Sequence, residues 1–354
     1  MARIDALFTM MKEQGASDLH LSSGNPPIFR QHGEMVRLNF KALGHDELKM
    51  ILFEILSDKQ KAHFEETRDL DFAYEVPGLA RFRCNFMMQY RGIAAVFRII
   101  PSKILSADDL GLPEGVRRMI NFKKGLVLVT GPTGSGKSTT LAAMIDLINS
   151  TRKDHILTFE DPLEFIHENK MSLMHQRQIG EHTESFATAL RAALREDPDV
   201  ILVGEMRDLT TIQLAMSAAE TGHLVFGTLH TSTAAKTVDR IIDVFPSDQQ
   251  DQVRAMLSES LKGVVCQQLL KTADGKGRVA AFEIMVSTPS IQALIRDSKT
   301  FRITSELQTG AKYGMNTLDS HLMDLYMNKI ISYTELITAA QDPESITEKL
   351  QTRK

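Results

Sequence analysis

The spacing of apolar residues changes character part-way along the chain. Near the start, Ile4, Leu7, Phe8 and Met11 fall at helical spacing and predict an amphipathic opening helix, which Gly15 ends. Residues 18–22 alternate polar and apolar, as a strand does. Pro26-Pro27 marks a turn or an edge position. Residues 45–66 return to helical periodicity. Two strands follow, 80–89 and 93–100, joined around Tyr90-Arg91-Gly92 as a hairpin. Together these predict a small α+β domain over residues 1–100.

Residues 101–115 read as a linker, with Pro101, Pro113 and the acidic pair Asp108-Asp109. From 116 onward, short apolar runs at 126–130, 156–159, 200–203 and 224–228 alternate with longer helical segments. That alternation predicts a mostly parallel sheet covered by helices, so the fold class is α/β. This second domain runs over 116–354, and its tail from about 245 reads as mainly helical, with helices at 247–270, 288–298, 316–329 and 332–341. One further strand is expected at 279–286, and there are no internal repeats.

Bulk properties narrow the partners. A chain of 354 residues with 43% hydrophobic and 24% charged residues has room for more than one core. The net charge of −4 gives no global attraction to a phosphate backbone, so nucleic acid is not an expected partner. The two cysteines, Cys84 and Cys266, form no CxxC pair, which excludes a zinc site built on cysteine pairs. No stretch reaches the length of a membrane span, and the opening residues lack a signal-peptide core. The expected location is cytoplasmic, with any membrane association through a partner.

The chemistry is concentrated in a few segments. Residues 131–138 read Gly-Pro-Thr-Gly-Ser-Gly-Lys-Ser, a P-loop between an apolar strand and a helix-forming run. Its glycines let backbone amides face phosphate oxygens, and the helix that starts near Lys137 points its positive end at the same anion. Thr133, Gly134, Ser135, Gly136, Lys137, Ser138 and Thr139 are therefore the expected ATP-binding residues. Lys137 is placed to reach the β- and γ-phosphates, and Ser138 to offer its hydroxyl to Mg2+. Residues 199–205 are an apolar strand ending in Glu205, which is expected to hold the metal through its water shell. A second acidic cluster, Glu160-Asp161-Pro162-Leu163-Glu164, follows another strand. Parallel sheets bind ligands beyond the carboxyl ends of their strands, so one of these acids could act on the attacking water. The residues alone leave open which. His223 and His230 flank the strand at 224–228 and are candidates for a γ-phosphate-sensing or coupling role. Arg81, Arg83, Arg91 and Arg98 crowd the first-domain hairpin, and Arg191 and Arg195 lie four apart in a predicted helix.

These segments in this order resemble the secretion-ATPase superfamily of type II secretion and type IV pili, and within it the PilT family of pilus retraction motors. The motifs that carry the resemblance are Gly15-Ala-Ser-Asp-Leu-His20, Arg81-Phe-Arg83, the P-loop, Glu160–Glu164, Leu194–Asp199 with Val203–Asp208, and Glu220–Thr231. They span nearly the whole chain. The resemblance implies a homohexameric ring of a PAS-like N-terminal domain and a RecA-like ATPase domain. It implies ATP held between the two, with arginines of the first domain, Arg81, Arg83 and Arg98, approaching the phosphates. It implies that Glu164 is the catalytic base, that Glu205 is the metal-side glutamate, and that Glu160, His223 and His230 face the nucleotide. The implied partners are an inner-membrane pilus platform protein and, indirectly, pilin, and the implied output is pilus retraction and twitching motility.

One segment departs from the retraction pattern Ala-Ile-Arg-Asn-Leu-Ile-Arg-Glu. Here residues 290–297 read Ser-Ile-Gln-Ala-Leu-Ile-Arg-Asp, with Gln292 and Ala293 in place of the first Arg and the Asn. Main motor and accessory paralogue both stay open on this reading. Rivals are a pilus extension or type II secretion assembly ATPase, a DNA-translocating conjugation-type ATPase, and a nucleotide-gated assembly module with negligible turnover.

Overall fold

A computed structural model describes residues 2–31, 33–100 and 103–352. It divides into two compact units: Met1–Lys103 with Asp161–Ile166, and Ile104–Glu160 with His167–Lys354.

In the first unit, α1 (Asp5–Glu13), α2 (His45–Phe53) and α3 (Asp58–Thr67) accompany six strands. These are β1 (Asp18–Ser22), β2 (Ile28–Gln31), β3 (Glu34–Arg37), β4 (Asp69–Val76), β5 (Ala80–Gln89) and β6 (Gly92–Ile100). They form one antiparallel sheet in the order β3-β2-β1-β6-β5-β4. Alternation along β5 explains its two faces. Phe82, Cys84 and Phe86 are buried, while Arg81, Arg83 and Asn85 are partly exposed. Phe8 of α1 stacks on Phe82 with ring centroids 4.1 Å apart and meets Phe97 edge-on at 5.0 Å. This aromatic cluster fastens the amphipathic opening helix to the sheet. The helical stretch expected over 45–66 is two helices, because Ser57 starts a second one with a capping box to Gln60.

In the second unit, β7 (Gly125–Thr130), β8 (His155–Glu160), β9 (Leu173–Gln178), β10 (Val200–Val203), β11 (Leu224–Leu229), β12 (Leu261–Lys271) and β13 (Arg278–Val286) build one sheet. Its order is β13-β12-β7-β11-β10-β8-β9. All neighbours are parallel except β12 and β13, so the sheet is mostly parallel with an antiparallel edge. Every residue of β7, β10 and β11 is buried, as expected for strands covered on both faces. The helices are α4 (Glu114–Met119), α5 (Lys137–Thr151), α6 (Phe186–Ala193), α7 (Leu209–Glu220), α8 (Ala234–Asp243) and α9 (Gln250–Ser260). Beyond the sheet lie α10 (Pro289–Arg296), α11 (Ile303–Thr309), α12 (Leu318–Met327), α13 (Tyr333–Ala339) and α14 (Pro343–Thr352).

Three expectations need correction. The stretch 247–270, read as one helix, is helical only to Ser260, and from Leu261 it is the longest strand of the sheet. Val264 and Val265 are β-branched and buried, and strand pairing on both sides outweighs the helical spacing of the leucines. The mainly helical tail therefore contributes two strands to the sheet. Arg191 lies in α6, whereas Arg195 lies beyond its end at Leu194. Of the segment expected as a linker over 101–115, residues 101 and 102 lie outside the described residues. Ala107 and Leu112 are buried in the second unit's core, and α4 already begins at Glu114.

His167, in the connection from β8 to β9, is 8% exposed. Burial drives its pKa down from 6.5 to about 4, against an opposing pull from Asp146. The unfolded chain thus binds a proton before the folded one as pH falls. The stabilisation is complete above pH 6.5 and is lost progressively toward pH 4. Thermal unfolding from pH 7 to pH 4 should show an acid loss that His167→Gln reduces by on the order of 3 kcal/mol. Parallel profiles for parent and variant would contradict this.

Candidate functional site: the P-loop and its acidic neighbours

β7 ends at Thr130, and residues 131–136 turn into α5. Gly131 takes φ +143° and Gly136 φ +89°, a region L side chains avoid. A Cβ on Gly136 would lie 2.8 Å from Gln267 Nε2, and one on Gly131 would collide with the Gln267 carbonyl. Both glycines are thus needed for conformation and for space. Lys137 Nζ donates to the carbonyls of Gly131 at 3.0 Å and Pro132 at 3.1 Å, so the ammonium lies across the loop. Thr133, Gly134 and Ser138 are exposed, Thr139 is half-buried, and Ser135 is buried. Ser135 Oγ has no hydrogen-bond partner among the described residues. The first amides of α5 have no intrahelical acceptor, so the loop suits an anion.

β10 and β11 are parallel neighbours, with Val203 opposite Gly227. Their carboxyl ends therefore bring Glu205 and His230 together. His230 Nε2 lies 2.9 Å from Glu205 Oε1, and Arg207 Nε lies 2.5 Å from the same oxygen. Burial pushes the Glu205 carboxyl pKa up, but Arg207 and His230 together outweigh it and hold the group below its ordinary value. Glu205 is thereby kept as a carboxylate. Pro132, Thr133, Glu205, Arg207, His230 and Arg240 line one cavity of about 620 Å³. The strand ends thus join the P-loop, the acid and one histidine in one space.

Other expected residues lie elsewhere. His223 precedes β11, and its Nδ1 is 2.9 Å from the Ala218 carbonyl. The strand separates it from His230 by about 20 Å, so within this chain it does not reach the loop. Glu160 ends β8 and accepts a hydrogen bond from Thr158 Oγ1 at 2.7 Å. Glu164 belongs to the first unit, where Arg83 Nη1 lies 3.6 Å from its Oε1. Arg81 Nε donates to the Leu163 carbonyl at 3.1 Å, and Arg83 Nη2 to Asp71 at 2.7 Å. Arg83 and Arg98 sit opposite each other on β5 and β6, and Arg98 sits opposite Asp18 on β1. Arg98 is bound to the buried Asp18 at 2.7 Å, an ion pair that engages it within its own unit.

The family described as "Type II/IV secretion system protein" matches residues 2–336. The chain belongs to this family. It is similar to the "Type IV pilus retractation ATPase PilT" of Pseudomonas aeruginosa, 54% identical over 97% of this chain and 99% of that protein. A "Twitching motility protein" of Neisseria gonorrhoeae is 52% identical over 91% of this chain and 86% of its own length. The "Type IV pilus ATPase PilU" of Pseudomonas aeruginosa is 36% identical over 97% and 90%. A crystal structure titled "Pilus Retraction Motor PilT and Bound ADP" superposes with TM-score 0.90 at 44% identity, covering 98% of this chain and 99% of that one. The enzyme is thus a secretion-family ATPase.

In this chain the altered segment 290–297 falls within α10 up to its C-cap Asp297, and Thr288 caps the start of the helix. Ile291 and Ile295 are fully buried, whereas Gln292 and Ala293 are half-buried, so the replacements leave the core face of α10 intact. Three residues of the site are not singled out by the sequence reading. Arg207 lies inside the Val203–Asp208 motif, Arg240 is an ordinary exposed arginine by spacing, and Gln267 is masked by a stretch with helical periodicity. The β-branched pair Val264-Val265 after Gly263 is the signal that marks Gln267 as a strand residue.

Removing the guanidinium beside Glu205 should let burial act with less opposition. Arg207→Ala should raise the Glu205 carboxyl pKa, read from a carboxyl-carbon NMR titration. An unmoved midpoint would show that His230 alone sets the charge state.

Proposed function

We propose that this chain is an ATP-driven motor for type IV pilus retraction, which hydrolyses ATP to ADP and phosphate. The observation that carries this reading is a P-loop sharing one cavity with Glu205 and His230, in a chain that matches retraction ATPases along nearly its full length. The greater identity to PilT than to PilU favours the main retraction motor over the accessory one.

In this reading the P-loop amides and Lys137 bind the nucleotide phosphates, and the backbone of Thr133–Thr139 with the start of α5 supplies the anion cradle. Ser138 Oγ and the Glu205 carboxylate are hard oxygen donors that fit Mg2+, which would neutralise charge on the phosphates when bound. Glu164 is the proposed base for the attacking water, with Arg83 Nη1 3.6 Å from its carboxyl group. Arg81, Arg83 and Arg98 are proposed to meet developing negative charge, with Glu160 and His230 on the nucleotide side. His223, remote from the loop of its own chain, fits better as a contact to a neighbouring subunit. The working assembly is a homohexamer at the inner membrane, acting on a platform protein and through it on pilin. No helix among the described residues is long and apolar enough to cross a membrane, which is compatible with a cytoplasmic motor held there by partners. The antiparallel sheet of the first unit, with three helices, supports its reading as PAS-like.

Lys137→Ala should abolish Mg2+-dependent ATP hydrolysis by the purified protein without loss of fold. Glu164→Gln should retain ATP binding and turn over at least ~100-fold more slowly, the low end for acid–base catalysis. If Glu205→Gln alone behaves that way, the base is Glu205. In the bacterium, deletion should leave abundant surface pili and no twitching, whereas a bald cell would identify an extension motor.

A further inference from the structure

Gln267 lies on β12, on the side of β7 opposite β11, and is 3% exposed. Its side-chain amide makes two hydrogen bonds to the nucleotide loop and its helix. Nε2 donates to the Ser135 carbonyl at 2.6 Å, and Oε1 accepts from Thr140 Oγ1 at 2.7 Å. Ser135 is in the loop, and Thr140 is in the first turn of α5. A neutral amide offers a donor and an acceptor at one side-chain end, so a single group can serve both.

The consequence follows from peptide geometry. In a trans peptide the carbonyl oxygen of one residue and the N–H of the next point in opposite directions. Gln267 draws the Ser135 carbonyl toward the buried side. The Gly136 N–H must then face the open side of the loop, where an anion binds. The same amide reaches that position only because residue 136 has no side chain. The Gln267 backbone carbonyl likewise closes on Gly131. The two glycines that make the loop also admit the residue that orients it.

We propose that Gln267 is a positioning residue for nucleotide binding: it aims the Gly136 N–H at the phosphates and locks the loop to the first turn of α5. This rests on the ATPase reading of the P-loop. The contact it controls is made alike by bound ATP, by the transition state and by ADP. Its loss therefore weakens binding uniformly and raises KM more than it lowers kcat.

The test uses the full chain carrying Gln267→Leu, Gln267→Glu or Thr140→Val. The readouts are ADP affinity from a fluorescent analogue, KM and kcat for ATP, and the nucleotide-free Tm. Gln267→Leu should weaken ADP binding and raise KM by about 10-fold or more, the effect of a buried hydrogen bond left unmade. Gln267→Glu should do no better, because it sets a carboxylate against the Ser135 carbonyl and beside the phosphates. Thr140→Val, which removes only the helix-side bond, should weaken binding by about threefold. A lowered nucleotide-free Tm with ADP affinity and KM within about twofold of the parent would overturn the proposal, leaving Gln267 a purely structural residue. If Gln267→Leu does not fold, unchanged ADP affinity in Thr140→Val overturns it. A parent chain that neither binds nor hydrolyses ATP would instead overturn the ATPase reading.

Discussion

The first amides of α5 lack acceptors within the helix, and an anion is held there only if the preceding backbone turns its own N–H groups the same way. That requirement fixes much of the second unit. It demands glycine at 131 and 136, where φ is positive and neighbouring atoms leave no space for a Cβ. It also demands a rigid strand beneath the loop, which β7 supplies by being buried between β12 and β11. The loop is thus held from below and from the side.

Parallel pairing carries the rest of the chemistry to the same edge. Because β7, β11, β10 and β8 run in one direction, all their carboxyl ends emerge together. Glu205 and His230 meet there although they are 25 residues apart in the chain. The same rule sends His223 to the other edge, since it stands at the amino end of β11. Two histidines that look equivalent in the sequence are separated by the length of a strand. Electrostatics then distinguishes the acids. Arg207 and His230 keep Glu205 ionised despite burial, and Glu164 lies beside Arg83 in the other unit.

The first unit shows the opposite use of a sheet. One face is an aromatic core closed by Phe8, Phe82, Phe86 and Phe97. The other face gathers charge, with Arg83, Arg98, Asp18 and Arg30 in register across four strands. Asp18 is nearly buried between Arg98 and Arg30, and its pKa is held down by Ser17 and Arg98 even though burial alone would raise it. The arginines are consequently paired with acids while their side chains stay partly exposed.

Local pattern determined much of this protein. The opening helix, strands 18–22, 80–89 and 200–203, the P-loop and its helix could all be read from spacing, because each depends on neighbours a few residues away. The identity of the nucleotide loop needed only eight consecutive residues. Strands β2, β3 and β9 were not legible, being short or edge strands with weak alternation, whereas β4 does alternate over Asp69-Leu-Asp-Phe72 and went unread. Tertiary structure decided the rest. It made Leu261–Lys271 a strand, because β7 and β13 offer backbone partners that outweigh a helical spacing of leucines. That choice placed Gln267 against the loop, 132 residues from Ser135. It also separated His223 from His230 and drew Arg98 to Asp18. Such relations depend on which strands are neighbours and which way they run, and a one-dimensional pattern of apolar residues carries neither.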